Sequence, residues 1–320
     1  MARTLALTGA TGFIGAALLR TLTRSGWKVR ALHRRSVSRF RRDSGEGAIE
    51  WIRGSLEDSE SLIRLVRGAQ AVVHCAGAIR GATADDFRKV NVGGVVRLAE
   101  ACRTAHPRPR VLLMSSLAAR EPQLSDYAAS KRAGEDALRS AAAGMSWTAL
   151  RPPAVYGPGD RETLPLLRCM QSGFSPVVGR ADARFSLLFV EDLAGAVGHL
   201  LESAQWPEVP FEIHDGQAGG YAWEELIQTV AGIIGRPVRR FRIPVWLMQT
   251  VARGNLWLSR GIGYAPMLTP GKVRELTHSN WVCNDAALRR ATGWEPRFQL
   301  AAGMRRTLAQ LRNGRWMVER

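Results

Sequence analysis

Tyr127 and Lys131 stand four residues apart within the stretch Leu112–Glu135. On a helix that spacing puts a phenol and an ammonium on one face. Just upstream, an apolar run ends in Ser115-Ser116, which brings a hydroxyl toward the same point. A hydroxyl, a phenol and an ammonium that converge are a set of groups able to move a proton and carry charge at one substrate atom. The chain has only four tyrosines and four lysines, so the pairing is scarce here. Taken alone it also describes an ordinary polar turn on an exposed helix, and the elements around it must decide.

Those elements begin at the N-terminus. Thr4–Thr8 is a short apolar run, followed by GATGFIG and a helix-like segment that ends at Gly26, a C-cap candidate. Gly9, Gly12 and Gly15 therefore lie between a strand and a helix. Glycines there permit a tight turn, a close approach of backbone to a pyrophosphate, and close helix–strand packing. The helix N-terminus offers unpaired amides to phosphate. The turn is expected to bind a dinucleotide through Gly9, Thr11, Gly12, Phe13, Ile14 and Gly15. Lys28–Leu32 reads as the second strand, and its end reads Leu32-His33-Arg34-Arg35 with no acid. An acid there would bind the ribose hydroxyls of NAD, whereas arginine suits the 2′-phosphate of NADP. NADP is favoured over NAD, with Arg34 and Arg35 as phosphate ligands. The bland alternative, a solvated basic loop, suits Arg39–Arg42 better.

Further β–α alternation follows. Ile49–Arg53, Ala71–Cys75, Val111–Met114 and Trp147–Leu150 read as strands. Ser55–Gly68, with Glu57 and Asp58 in its first turn, reads as a helix, and so does one long segment Ala84–Thr104. Small residues Ala76 and Gly77 at a strand end would let a cofactor lie across it. Asn91, among valines, must be hydrogen-bonded to be tolerated; its bland reading is a structural amide that bridges backbone, and its functional reading is that same job at the cofactor site. The pattern implies an α/β fold with a parallel, doubly wound sheet, whose ligands bind beyond the carboxyl ends of the strands. Past Arg151–Asp160 the alternation fades. Ser186–Val190 and Phe211–His214 read as strands and Asp192–Glu202 as a helix; Ala222–Gly235, Val245–Ser259 and Ala301–Arg312 read as amphipathic helices. The expected division is a nucleotide-binding domain at 1–157 and 186–214, and a smaller, mainly helical substrate lobe at 158–185 and 215–320. Val245–Ser259, rich in Trp, Leu and Met, is expected in the core of that lobe. A lining for an apolar substrate and a patch resting on membrane are the lesser readings.

Composition narrows the remaining classes. Hydrophobic residues make up 46% and charged residues 23%, ordinary for a globular protein of 320 residues. The N-terminus lacks a signal-peptide pattern, and no apolar run is long enough for a membrane span. Cys75, Cys102, Cys169 and Cys283 are widely spaced, which suggests neither a metal site nor a disulfide framework and suits a cytoplasmic setting. The net charge is +17, and 41 of the 45 basic residues are arginine. Such a surface attracts anions, but no nucleic-acid motif accompanies it, so no nucleic-acid partner is expected. The expected partner is a small-molecule substrate.

Together, TGATGFIG at 8–15, Ser115-Ser116, Tyr127–Lys131, RPPAVYGPGD at 151–160 and FVEDLAGAV at 189–197 resemble the extended short-chain dehydrogenase/reductase superfamily, the NAD-dependent epimerase/dehydratase group. They occur in the family's order, and the chain looks nearer the 3β-hydroxysteroid-dehydrogenase-type branch. The resemblance implies a Rossmann-type fold and an NAD(P)-dependent oxidoreductase that interconverts a secondary alcohol and a ketone. It implies that Tyr127 passes a proton to or from the substrate oxygen. Lys131 would lower the phenol pKa from its free value of about 10 and bind the nicotinamide ribose. Ser116 would stabilise the developing oxyanion. Tyr127 and Lys131 thus count for both catalysis and cofactor binding. Departures from the pattern matter. Gly54-Ser55 lacks the acid that contacts adenine, Leu117 and Ala118 cannot supply a dehydratase's acid–base pair, and Ala154 replaces an Asn common in nucleotide-sugar epimerases. Two other functions fit the resemblance: an NAD-dependent nucleotide-sugar epimerase, and a non-catalytic dinucleotide-binding accessory subunit. Homodimers are common among such proteins, though no interface is legible here.

Overall fold

The computed structural model describes residues 3–34, 48–180, 182–204 and 206–312. The first half alternates as the apolar periodicity predicts: β1 (Thr4–Thr8), α1 (Phe13–Arg24), β2 (Lys28–His33), β3 (Ile49–Arg53), α2 (Ser59–Val66), β4 (Ala71–His74), α3 (Ala84–Asn91), α4 (Gly93–Thr104), β5 (Arg110–Met114), α5 (Asp126–Ala141) and β6 (Trp147–Arg151). Then come β7 (Ala154–Tyr156), α6 (Leu164–Gln171), β8 (Phe174–Val178), β9 (Arg184–Phe185), β10 (Leu187–Phe189), α7 (Val190–Glu202) and β11 (Pro210–Glu212). The chain continues through β12 (Tyr221–Ala222), α8 (Trp223–Ile234), β13 (Arg239–Ile243), α9 (Val245–Ile262), α10 (Pro270–Thr277), β14 (Asn280–Trp281), α11 (Ala286–Thr292) and α12 (Leu300–Arg312).

Seven strands form one parallel sheet in the order β11-β6-β5-β4-β1-β2-β3. Parallel strands are covered on both faces, so their side chains feed two cores. Leu5 and Leu7 of β1 enter one core with Leu18 and Leu22 of α1 and Leu193 and Val197 of α7. Ala6 enters the other, with Leu62 of α2, Leu98 of α4 and Leu138 of α5. The chain order reverses between β1 and β4, the switch point where open α/β sheets bind ligands. Because the strands are parallel and in step, with Thr8 beside His74 and Met114 beside Leu150, the segments leaving β1, β4, β5 and β6 emerge at one edge.

Three details differ from the sequence expectation. The long helix Ala84–Thr104 breaks at Val92, ahead of the pair Gly93-Gly94, where glycine weakens helical continuity. The helix after β3 starts at Ser59, and Asp58 caps it by accepting from the Ser61 amide. The C-terminal part is not helices alone: β8 pairs with β13, and β9 pairs with β12 and β14. A third core joins Tyr156, Leu167, Phe189, Val230 and Leu308 there.

The largest departure is α9. The segment expected in a core lies on the surface. Only Ala252 and Ser259 are buried, while Trp246 and Trp257 are 69% and 78% exposed. Its covered side rests on α10.

Candidate active site

The turn after β1 is shaped for close approach. Gly9 has φ +73°, and a Cβ there would stand 2.6 Å from the Ala76 nitrogen. A Cβ on Gly15 would stand 2.0 Å from the Gly9 carbonyl oxygen. Neither position accepts a side chain without moving backbone. Gly12 is the N-cap of α1 and supplies no side-chain hydrogen bond, so the first amides of the helix remain for an anion. Thr11 and Gly12 are exposed at the tip, and Phe13 and Ile14 are half-buried behind it. This cradle fits a dinucleotide pyrophosphate. Arg34 is exposed just past β2 at the same edge; Arg35 lies outside the described residues.

The strand-end loop after β4 is tied down by Asn91. Its Oδ1 accepts from the Ala78 amide at 2.8 Å, and its Nδ2 donates to the Ala78 carbonyl at 3.0 Å and to the Ser130 hydroxyl at 2.9 Å. The amide thus joins α3, the Ala76–Ala78 loop and α5. The Asn91 carbonyl also meets α5, where a Cβ on Gly134 would be 2.5 Å from that oxygen. At the base of the loop, the Thr8 hydroxyl pairs with His74 Nδ1 at 2.7 Å and accepts from the Ala76 amide at 3.2 Å. Burial drives the His74 pKa down to about 3, with help from Lys131, so this imidazole is neutral.

Ser125 caps α5 by accepting from the Ala128 amide at 2.9 Å, which sets Tyr127 in the first turn and Lys131 one turn later. The Ser116 hydroxyl lies close enough to the Tyr127 phenol to favour its ionised form. Ser116 also accepts from the Ala118 amide at 3.2 Å, opening the short 3-10 turn Leu117–Arg120. Lys131 donates to the Met114 carbonyl at 2.7 Å. A Cβ on Gly77 would stand 3.6 Å from its Nζ, so the ammonium faces the loop after β4. The structure therefore brings Ser116, Tyr127, Lys131, Gly77 and Asn91 to one place.

The expected electrostatics are reversed at Tyr127. Burial holds its phenol up at about 12; the neighbouring Ser116 hydroxyl opposes that rise and Glu275 adds to it. Lys131 is pulled down to about 8 by burial, against the opposing influence of Cys75 and Glu135. The ammonium is anchored on a carbonyl instead of offsetting the desolvation of the phenol. A phenol in that state keeps its proton at neutral pH.

Sequence reasoning missed two supports. Glu135 is fully buried and accepts from Ser115 at 2.5 Å and from Arg151 through two hydrogen bonds of 2.8 and 2.5 Å. It ties α5 to the ends of β5 and β6. Its signal was present, since it follows Lys131 by four residues on the same helix face. It also explains why Ser115 and Ser116 differ: the Ser115 hydroxyl is committed to Glu135. The second support comes from α10. Glu275 accepts from Ser125 and from Lys272, the latter at 2.8 Å, and Lys272 Nζ stands 5.9 Å from the centre of the Tyr127 ring. Phe87 packs edge-on against that ring. No spacing in the sequence could link residues 125 and 275.

The model of the NAD dependent epimerase/dehydratase family matches residues 5–211. The chain belongs to that family. A ceramide reductase from Caulobacter vibrioides is 39% identical over 316 residues, covering 98% of this chain and 95% of its own length. A 2-alkyl-3-oxoalkanoate reductase from Stenotrophomonas maltophilia is 27% identical over 333 residues, covering 95% and 98%. The solved structure of MoeE5 in complex with UDP-glucuronic acid and NAD shares the fold, with a TM-score of 0.74 at 22% identity, covering 98% of this chain and 99% of that one. This member of the epimerase/dehydratase family is an enzyme, with the nicotinamide-binding Rossmann fold of the short-chain dehydrogenases/reductases. Among the described residues there is no cluster of groups that could hold a metal, and no helix is long and apolar enough to cross a membrane.

Proposed function

We propose that this protein reduces a ketone within an apolar, lipid-like substrate to a secondary alcohol, with Ser116, Tyr127 and Lys131 as its catalytic residues and NADPH as its preferred cofactor. The observation that carries the reading is the convergence of these three side chains beside the Gly9–Gly15 cradle. Two relatives named as reductases of lipid-like substrates support the choice of direction and substrate class.

When bound, a nicotinamide supplies the hydride for the carbonyl carbon. The Ser116 hydroxyl turns its hydrogen toward the carbonyl oxygen and stabilises the charge that develops there. Tyr127, kept protonated by its raised pKa, donates its proton to that oxygen. The resulting phenolate is neutralised from solvent. Lys131, fixed on the Met114 carbonyl and facing Gly77, holds the ribose edge of the cofactor and keeps positive charge near the phenolate. Asn91 fixes the loop beneath it. Arg34 and Arg35 take the 2′-phosphate. Residues 1–157 and 186–214 form the cofactor domain, and 158–185 and 215–320 the substrate lobe. The four free cysteines suit a cytoplasmic site of action.

The test is a fluorescence titration with NADPH and NADH, followed by turnover on long-chain 3-oxo amides and esters. The reading expects tighter NADPH binding and stoichiometric NADPH consumption. Turnover of a UDP-sugar with no net cofactor consumption would replace it with epimerisation.

A further inference from the structure

We propose that α9 is a membrane-surface anchor that rests in the headgroup layer of an anionic lipid bilayer. The proposal stands on the surface itself and does not require the substrate assigned above. Around the helix, Met248, Ala252, Asn255 and Ser259 form the covered stripe, and Asn255 Nδ2 donates to the Leu268 carbonyl at 2.8 Å. At 100° per residue, Leu247, Val251, Leu258 and Ile262 form an adjoining aliphatic stripe, and Trp246 and Trp257 stand together beyond it. All six are exposed. Thr250, Gly254 and Gly261 lie between the two groups, and the Thr250 hydroxyl donates to the Trp246 carbonyl at 3.0 Å, so no charged side chain interrupts the outward arc. Arg253 and Arg260 occupy its flank, both exposed. Scattered exposed apolar residues are normal, but a contiguous patch with two indoles is not.

Charge decides what covers this face. No acidic residue lies between Val245 and Tyr264. The strand that leads into α9 adds exposed Arg239 and Arg242, and the chain as a whole carries +17. Two copies of this chain meeting through α9 would bring arginine-flanked faces together with no acid on either helix to neutralise them. A bilayer rich in anionic lipid accepts both halves: indoles and aliphatics enter the headgroup–acyl boundary, and arginines meet phosphates. Since no described helix is long and apolar enough to span, α9 lies on the membrane and does not cross it. The anchor is also well placed. It packs on α10, whose Lys272 and Glu275 stand beside Tyr127 and Ser125. If the substrate is a lipid, the same contact sets the substrate side of Tyr127 near the bilayer from which it comes.

The experiment is cosedimentation of the full chain with phosphatidylcholine vesicles, with and without about a third phosphatidylglycerol, at low and high salt. The variant is Trp246→Ser/Trp257→Ser, which removes only exposed rings and keeps the charge; an unchanged thermal melt certifies its fold. The expected result is binding to anionic vesicles that falls with salt, quenching of wild-type fluorescence by brominated lipid, and a loss of about tenfold or more in partitioning for the variant. Equal binding by the variant would mean that net charge alone holds the protein and would overturn the anchor. So would wild type that ignores anionic vesicles, or a wild-type dimer that the variant turns into a monomer without any vesicle binding. None of these readouts depends on turnover.

Discussion

Replacing Tyr127 with Phe removes one oxygen and little else. The ring remains packed against Phe87, and Ser116 keeps its bond from the Ala118 amide, so the stability change should stay within about 1 kcal/mol. In the proposed mechanism, what is lost is the proton donor. With a phenol near 12, about one molecule in 10⁵ is ionised at pH 7, so essentially every wild-type site is loaded to protonate a carbonyl. Positioned acid catalysis is worth about 10²- to 10⁴-fold. With Ser116 left to stabilise the oxyanion in that mechanism, a fall in kcat of about 10³-fold, or about 4 kcal/mol, is expected. The assay is loss of NADPH absorbance with a long-chain 3-oxo substrate dispersed in mild detergent. KM and the NADPH Kd should change less than about threefold, since the lost oxygen faces Ser116 and not the glycine cradle. Wild-type reduction should be flat through neutral pH and slow above about 8 as Lys131 loses its charge. A kcat for Tyr127→Phe within about threefold of wild type would refute the proton-donor role.

Glu135→Ala leaves the half-buried Arg151 without its carboxylate and Ser115 without its acceptor, so a loss of about 2–4 kcal/mol in a urea melt is expected; a change under about 1 kcal/mol would show the network to be dispensable. Arg34→Ala should weaken NADPH about tenfold while leaving NADH within about twofold, and equal effects on both would detach this arginine from the 2′-phosphate. His74 ties stability to acid pH. Its pKa falls from 6.5 unfolded to about 3 folded, so between those values the unfolded chain binds the extra proton. Stability from this site is complete above 6.5 and is lost progressively toward pH 3, by about 5 kcal/mol in total. Urea melts from pH 7.5 to 4 should show a steeper acid loss for wild type than for His74→Asn, and parallel slopes would contradict the assignment.

The sheet was readable because each parallel strand is a short apolar run bounded by turn residues, and because Gly9 and Gly15 mark places where backbone meets backbone. The pairing of Tyr127 with Lys131 was readable because one helical turn fixes it. The phenol's electrostatics were not, because spacing reveals neither burial nor the Met114 carbonyl that holds the ammonium. Glu275 and Lys272 were invisible for a different reason: they reach Tyr127 through the packing of α10, which no local pattern encodes. For α9 the apolar content was seen correctly and its burial wrongly. A helix with two apolar stripes looks the same in sequence whether one or both are covered, and here the described residues supply a partner for only one of them.

Gly134 bears on how the cofactor loop can vary. Because the Asn91 carbonyl occupies the space that a Cβ on Gly134 would fill, α3 and α5 sit as near as peptide groups allow. The same Asn91 holds the Ala78 backbone by two hydrogen bonds. The height of the Ala76–Ala78 loop above Lys131 is therefore a matter of interhelical distance and not of loop composition. A single methyl group at position 134 would act as a shim, lifting the loop while leaving every residue of the loop unchanged.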